Sequence, residues 1–413
     1  MKQLSKMMLA AVASVALAAP AFAWDFSASG TATASFNQTE TKANSVATTK
    51  ASTIGTGVSS AGSSLTLASS HTDGPNTTSL TYVLDWDGNL DETITVSGSR
   101  KVGDWTASGS VSYSPQTLGC SATDNGTGDT TAVAACAGTA TGEDSTSVTL
   151  TDGTMTIVLG DASHLSGQNV SAGSVAGGQD GMDSAGADCD VDACVDDFEG
   201  VSLGYAISDT MSVTVAYQQE SGLLMGTGEP LDGEASHIVT GIGLSFSGTF
   251  GPASVGFTQA SGSSADATND TDAGKLSTSW STMGVGIAID LGDIDPFISY
   301  GTVEGSAGSA ANSKVKHAHS GDEVGLTYAL GSDTITVVVG SLSDQYDTSD
   351  GAGGGTVDKP TEWSIMEVGY ATMIGPASLA VGYGTIAKAD ADGTAEGEGY
   401  SSTDLDVALS ISF

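Results

Sequence analysis

The chain has 413 residues, with 11 basic against 49 acidic side chains and a formal net charge of −38. Such a field excludes a nucleic-acid partner. Hydrophobic residues make up 39% and aromatics 6%, beside 56 glycines, which is lean for several buried cores but suits a sheet that turns its apolar side outward and its small polar side inward. After residue 23 no apolar run reaches the length of a membrane helix. Only a closed β-barrel could therefore carry this chain across a membrane, because only a closed sheet satisfies every backbone group there. The acidity fits two readings equally. One is solubility in a salty habitat, where screening makes like charges tolerable. The other is an electronegative vestibule that draws in cations.

In chain order, Lys2 and Lys6 form a positive n-region, residues 7–19 an apolar h-region, and Ala21-Phe22-Ala23 a small-x-small cleavage site. Residues 1–23 are thus expected to be a signal peptide cut before Trp24, and 24–413 one domain. From Trp24 onward, segments of about ten residues alternate apolar and small-polar between turn residues, as transmembrane barrel strands do. The first is Asp25-Phe26-Ser27-Ala28-Ser29-Gly30. A hairpin follows around 62–71 and 77–86. Met155 to Leu159 alternates, as do Val201, Leu203, Tyr205 and Ile207, then Met211, Val213, Val215 and Tyr217. Val285 to Leu291, Val324 to Leu330, Ile335 to Val339 and Leu379 to Tyr383 repeat the pattern. The last strand places Leu405, Val407, Leu409, Ile411 and Phe413 on one face, with Asp406, Ala408, Ser410 and Ser412 between them.

The connections come in two lengths. Thr151-Asp152-Gly153, Ser208-Asp209, Gly248 to Gly251, Gly331-Ser332-Asp333 and Ile374-Gly375-Pro376 read as hairpin turns. Residues 37–61, 114–144, 161–198, 221–235, 261–274, 303–319, 345–361 and 389–401 read as long loops rich in Gly, Ser, Ala and Asp. Their near alternation predicts an all-β, transmembrane, antiparallel β-barrel with tight periplasmic turns and long external loops. The strand signals number about seven before 161–198 and about eleven after it. That makes 18 strands if the 62–86 hairpin joins the wall and 16 if it folds outside. Trp86, Trp105, Tyr113, Tyr205, Tyr217, Trp280, Tyr300, Tyr328, Trp363, Tyr370 and Tyr383 fall near strand ends, as interfacial girdles require.

The cysteines are Cys120, Cys136, Cys189 and Cys194. An even number in an exported chain favours disulfides. Cys120–Cys136 and Cys189–Cys194 are the local pairings, and cross-pairing between the two loops stays open. Neither pair has the Cys-x-x-Cys spacing of zinc or thioredoxin chemistry.

The densest polar cluster is Asp188, Asp190, Asp192, Asp196, Asp197 and Glu199, preceded by Asp180 and Asp183. In a narrow opening these carboxylates would concentrate cations and repel anions. Asp188, Asp190, Asp192, Asp196 and Glu199 also fall at positions one, three, five, nine and twelve of a calcium loop. Ala193 stands where that loop wants Gly, and no flanking helix pair is evident. Ca²⁺ is the one cofactor the sequence brings to mind; a solvated acidic loop is the plainer reading. Catalysis has little support. His71, His164, His237, His317 and His319 form no nucleophile–base arrangement, because Ser163 and His164 are neighbours whose side chains diverge. No enzymatic activity is expected. His317-Ala318-His319, with Lys314 and Lys316, is a local basic patch.

Three features together resemble the general porins of Gram-negative bacteria, especially the alphaproteobacterial type. They are a signal peptide running straight into the Asp25–Gly30 strand, the terminal strand closing on Phe413, and the Ser147–Ala162 hairpin ending in Gly160-Asp161 before a long segment. The resemblance covers 24–413. It implies an outer-membrane location, a third loop at 161–198 folded inside as the constriction, and a homotrimer embedded in outer-membrane lipid. It implies passive diffusion of small hydrophilic solutes and ions, with no reaction. In the family a ladder of arginines faces acids on the third loop. This chain has one arginine, Arg100, near a turn, so the pore is expected to prefer cations. The alternatives are a substrate-specific outer-membrane channel, or an acidic surface protein whose barrel anchors divalent-dependent adhesion.

Overall fold

A computed structural model describes residues 25–43, 47–56, 63–86, 90–114, 142–161, 165, 199–221, 237–266, 276–309, 314–349, 355–357, 361–388 and 400–413. Among the described residues there are strands and turns and no helix. The early strands are β1 (Asp25–Ala43), β2 (Ala47–Thr56), β3 (Ser63–Asp73), β4 (Asn76–Trp86), β5 (Leu90–Val102), β6 (Trp105–Ser114), β7 (Gly142–Thr151) and β8 (Met155–Asp161). Next come β9 (Glu199–Ser208), β10 (Met211–Ser221), β11 (His237–Phe250), β12 (Ala253–Asp266), β13 (Leu276–Ile289) and β14 (Ile294–Ser309). The last are β15 (Lys314–Leu330), β16 (Asp333–Ser349), β17 (Gly355–Val357), β18 (Thr361–Ile374), β19 (Ala377–Lys388) and β20 (Tyr400–Ser412).

Pairing is antiparallel and runs from strand to sequence neighbour. β1 pairs with β3, and the ladder continues through β4 and β5 to β6. It runs likewise from β8 to β16, then to β18 and β19. β20 pairs with both β19 and β1, so the sheet closes. β2 pairs with β1 and the short β17 with the tip of β16, both outside this circuit. The fold is a closed antiparallel barrel of 18 strands. The hairpin at 62–86 is β3–β4 and belongs to the wall, so the larger expected count holds.

By contacts the chain divides into two units: Met1–Ala34, Gly55–Leu150 and Ser410–Phe413; and Ser35–Ile54 with Thr151–Leu409. In the first, the terminal residue closes the ladder. Gly30 N–H donates to the Phe413 carbonyl at 2.9 Å, and Phe413 N–H donates back at 3.0 Å. A Cβ on residue 30 would lie 2.5 Å from the Ser64 carbonyl oxygen and 2.8 Å from Phe413 Cζ. The glycine leaves room for the terminal ring against the strand beside it. Leu80, Val96 and Val148 are exposed on one face of this unit. On the other, hydroxyls meet across strands: Ser79 with Ser97 at 2.6 Å, Thr95 with Ser112 at 2.8 Å and Ser110 with Ser147 at 3.1 Å. Such pairs satisfy polar groups where no charge is needed.

In the second unit the same two-faced pattern is carried by longer strands. Leu203, Tyr205, Ile207, Val215, Tyr217, Ile242 and Leu244 are exposed, while Ser202, Ala216 and Ser245 between them are buried. β14 and β15 extend to Ser309 and from Lys314, through what reads as a loop at 303–319. β1 and β2 likewise occupy much of 37–61. Outside an apolar belt a strand needs only its backbone ladder, so Ser, Gly, Ala and Thr continue it without the alternation that marks strands in sequence.

The short turns lie where the sequence puts them, and glycines with positive φ make most of them, the Ser208-Asp209 turn excepted. Gly74, Gly251 and Gly375 have φ of 58°, 62° and 63°, and each precedes a proline. A left-handed first residue followed by one fixed near −65° is the signature of a tight type II′ hairpin. Neighbouring turns are tied together: Thr249 N–H donates to the Thr210 carbonyl at 2.9 Å, Asp290 to Pro252 at 2.7 Å and Ala329 to Asp293 at 2.8 Å.

At the β7–β8 turn, Asp152 Oδ1 accepts from Met155 N–H at 2.7 Å and Thr154 N–H at 2.9 Å. These bonds, Met155's first, hold its carboxyl below the usual carboxylate range. Because the folded-state value is depressed, the stabilisation is present above the unfolded value and is lost as pH falls through the folded one. Asp152→Ala should therefore lower thermal stability at pH 7, and the gap to wild type should close in strongly acidic buffer. A gap that did not change with pH would show that the carboxylate does not brace the turn.

Overpacking supplies a second prediction. Gly30→Ala should destabilise the refolded barrel by about 1–3 kcal/mol, read as urea unfolding in detergent. Gly98→Ala, whose Cβ would meet only the Thr77 carbonyl at 3.8 Å, should cost far less. Equal losses would mean that the Phe413 seat has no special role in closure.

Candidate functional site: the inner face

In the second unit the unbroken register stacks inner-face residues into rows. One row reads Ser212, Ser247, Gly256, Gly286, Ser299, Glu323, Gly340, Ile365, Ile386 from β10 to β19. The adjacent row reads Thr249, Ser254, Ala288, Phe297, Gly325, Val338, Glu367, Gly384. The β11–β14 part of the first row is hydroxyl and glycine, and that of the second runs from hydroxyls at Thr249 and Ser254 to Ala288 and Phe297. The β15–β19 part is mixed, with acids set among apolar side chains.

Glu323 and Glu367 are 5% and 0% exposed. Ser299 Oγ donates to Glu323 Oε1 at 2.7 Å. Val338, Ile365 and Ile386 form a buried cluster beside them, with Phe297 and Trp363 packed against it. The Phe297 ring lies over Gly325, where any Cβ would collide with Cζ and Cε1. The composition suits a small polar inner face, so this apolar strip is a departure. Along the closing strands, Asn37 Nδ2 donates to both oxygens of Asp404, at 3.0 and 2.9 Å, and to Asp406 Oδ1 at 2.7 Å. Asp404 is buried.

A further inner-face contact comes from the chain just beyond β8. Leu165 is 1% exposed. Its Cδ1 occupies the space a Cβ on Gly243 would need, and Ala260 Cβ lies 3.3 Å from that same point. Gly243 pairs with Ala216 and Ala260, and both alanines are buried. Three small residues in one row thus form a socket for one leucine.

Of the acids singled out in sequence, Glu199 is the first residue of β9 and pairs with Asp161. Asp180, Asp183, Asp188, Asp190, Asp192, Asp196 and Asp197 lie outside the described residues, as do Cys120, Cys136, Cys189 and Cys194 and the signal segment 1–23. Among the described residues no cluster of three or more His, Cys, Asp or Glu could hold a metal. Glu323 and Glu367 do not stand out in sequence beside the denser acid-rich loop. The signal of Glu367 was legible: it sits at an inward position between the outward apolar Met366 and Val368, whereas Glu323 follows Asp322 and carries no such mark.

No protein-family model matches the chain, and no curated protein matches it. Solved structures do. The outer membrane channel DcaP of Acinetobacter baumannii aligns at a TM-score of 0.50 and 12% identity, over 94% of this chain and 97% of that one. The anion-selective porin from Comamonas acidovorans aligns at 0.49 and 13%, over 94% and 100%. The fold is that of the outer membrane channel DcaP. At such low identity the likeness carries the architecture and no residue roles.

The Leu165 socket gives a prediction. Gly243→Ala should destabilise the barrel by about 1–3 kcal/mol through overpacking. Adding Leu165→Ala should recover most of that loss, a coupling read by a double-mutant cycle. Additive losses would show that Leu165 is not seated on Gly243.

Proposed function

We propose that this chain is an outer-membrane porin, a water-filled and cation-preferring pore for passive diffusion of small hydrophilic solutes and ions. The observation that carries the reading is the inversion of the sheet. Large apolar side chains such as Ile242, Val324, Met366 and Leu409 are exposed, while hydroxyls and carboxylates line the opposite face. In water this arrangement would be costly; in lipid it is what the solvent demands. The location implied is the bacterial outer membrane after signal-peptide cleavage, and the resemblance adds a homotrimer.

The Leu165 contact supports a path for 161–198 along the inner face, with the acids from Asp180 to Glu199 near the narrowest point. Glu323, Glu367, Asp404 and Asp406 add carboxyl groups on the strands themselves. Negative charge lowers the energy of an entering cation and raises that of an anion. Calcium held by Asp188, Asp190, Asp192, Asp196 and Glu199, and bridges Cys120–Cys136 and Cys189–Cys194, belong to the same proposal as features of the loops.

Single-channel recording in planar bilayers tests it. The refolded protein should give a large, ohmic, ungated conductance, and a KCl gradient should give reversal potentials favouring K⁺. The preference should be stronger in dilute salt, because the Debye length falls from about 10 Å at 0.1 M to about 3 Å at 1 M. Changing Asp188, Asp190, Asp192, Asp196 and Asp197 to Asn and Glu199 to Gln should reduce it. Anion selectivity in the unmodified channel would overturn the cation reading, and no conductance would overturn the pore.

A further inference from the structure

His317-Ala318-His319 reads in sequence as one basic patch with Lys314 and Lys316. The register of β15 takes that patch apart. Successive residues of a strand belong to opposite faces. On β15 the odd positions share the face of the buried Gly321 and Glu323, while Asp322 and Val324 between them are exposed. His317 and His319 therefore belong to the inner face, two residues apart. Lys314 and Lys316 belong to the opposite one.

The pairing of β15 with β16 is unbroken, and it sets Asp344 directly across from His319 and Tyr346 directly across from His317. These even positions of β16 share the face of Val338 and Leu342, which are 1% and 2% exposed. On the other flank, β14 sets Val303 beside His319 and Gly305 beside His317, so no charge enters from that side. Thr361 of β18 follows Asp344 along its row. Lys316 pairs with Asp347 on the opposite face. The two kinds of basic residue are thus sorted, each with an acid of its own.

Two imidazoles and one carboxylate at these positions form a metal donor set. Residues i and i+2 of a strand are about 7 Å apart, and directly opposite residues have Cβ atoms about 4.5–5.5 Å apart. Imidazole and carboxylate both bind Zn²⁺ at about 2.0–2.2 Å, and three protein ligands leave a fourth position for water. No three ligands stand already gathered around one point among the described side chains. The register fixes that these three start from neighbouring positions on one face, and an ion is what would draw them in. Imidazole suits Zn²⁺, Ni²⁺ and Cu²⁺, whereas Ca²⁺ and Mg²⁺ take oxygen ligands. The next row along the strands is Gly301, Gly321, Leu342 and Trp363. The first three are buried, and Trp363 packs on the Val338, Ile365 and Ile386 cluster. An apolar border of this kind limits water on one side of a metal site.

We propose that His317, His319 and Asp344 form a binding site for a divalent transition-metal ion of the Zn²⁺ class. It differs in ligand chemistry from an all-oxygen calcium loop. The site goes beyond the channel reading and does not depend on it. Where the chain is a channel, the ion sits on the inner face at the end of β15 away from its tight turn with β16, and it adds positive charge to an acidic wall.

The test uses the full, untagged, refolded chain in detergent micelles, with Zn²⁺ as the probe. Calorimetric titration should show saturable Zn²⁺ binding, with Ca²⁺ and Mg²⁺ at least about tenfold weaker. Loss of an outer partner of a metal ligand already costs about 10–100-fold, so His317→Ala, His319→Ala and Asp344→Asn should each cost at least about tenfold. Lys316→Ala, on the opposite face, should leave affinity unchanged. Co²⁺ bound to the unmodified chain should show the weak visible bands of nitrogen and oxygen ligands without thiolate charge-transfer absorption. That spectrum and the comparison of ions need no variant, so a misfolded mutant cannot hide the answer. No saturable Zn²⁺ binding, equal affinity for Ca²⁺, thiolate absorption with Co²⁺, or full retention in the histidine variants would each overturn the site. The two readings fail separately: conductance without Zn²⁺ binding overturns the metal site alone, and Zn²⁺ binding without conductance overturns the pore alone.

Discussion

Every feature above depends on the sheet having no free edge. The pair of hydrogen bonds between Gly30 and Phe413 is where the first and last strands meet in the first unit. In hydrocarbon each unpaired backbone group costs several kcal/mol, so a spanning sheet must close or fail. Closure also fixes which side chain faces where. A slip of one residue anywhere would send a whole strand's apolar set to the wrong face. In the second unit the register shift between β9 and β10 lies at Met211 and Ser212, beside the turn. There it realigns the pair without disturbing the faces of the strands.

Given fixed faces, glycine becomes the means by which something else reaches the wall. Phe413 lies on Gly30, Phe297 on Gly325, and Leu165 on Gly243, while Phe246 and Phe250 flank Gly248. The last two rings are stacked with centroids 6.5 Å apart. Large side chains placed over glycines pin register in curved sheets, because the ring restores the contact area the glycine gave up.

Much of this was legible in sequence because a two-faced strand writes its period into the chain. The alternation at Val201 to Ile207 and at Leu405 to Phe413, and turn signals such as Gly375-Pro376, gave the strands and their order. The extensions of β14 and β15 were not legible. Residues such as Gly305-Ser306-Ala307 carry no apolar period, and a ladder in water needs none. The inner-face apolar strip was hidden for the opposite reason. Val338 lies within the apolar run Val337-Val338-Val339, and Ile365 beside Met366, so both faces look alike in sequence and only pairing with Glu367 and Gly340 tells them apart. Glu323 and Glu367 were overshadowed by a denser acidic cluster, although a lone inward acid on a strand is held in place more firmly than many on a loop.

That contrast bears on how such a wall would act on ions. A carboxylate reached by solvent from all sides is screened within a Debye length, and its influence fades as salt rises. One set among Val338, Ile365 and Ile386 sits in a region of lower polarisability, where the same charge acts more strongly. At an effective dielectric constant of about 20, a pair of unit charges about 4 Å apart is worth roughly 4 kcal/mol, against roughly 1 kcal/mol in bulk water. Glu323 and Glu367 are buried almost completely, so whatever charge they carry acts through apolar surroundings rather than through water. The apolar strip is then no defect in a polar lining: it confines the reach of that charge to the β14–β19 side of the inner face.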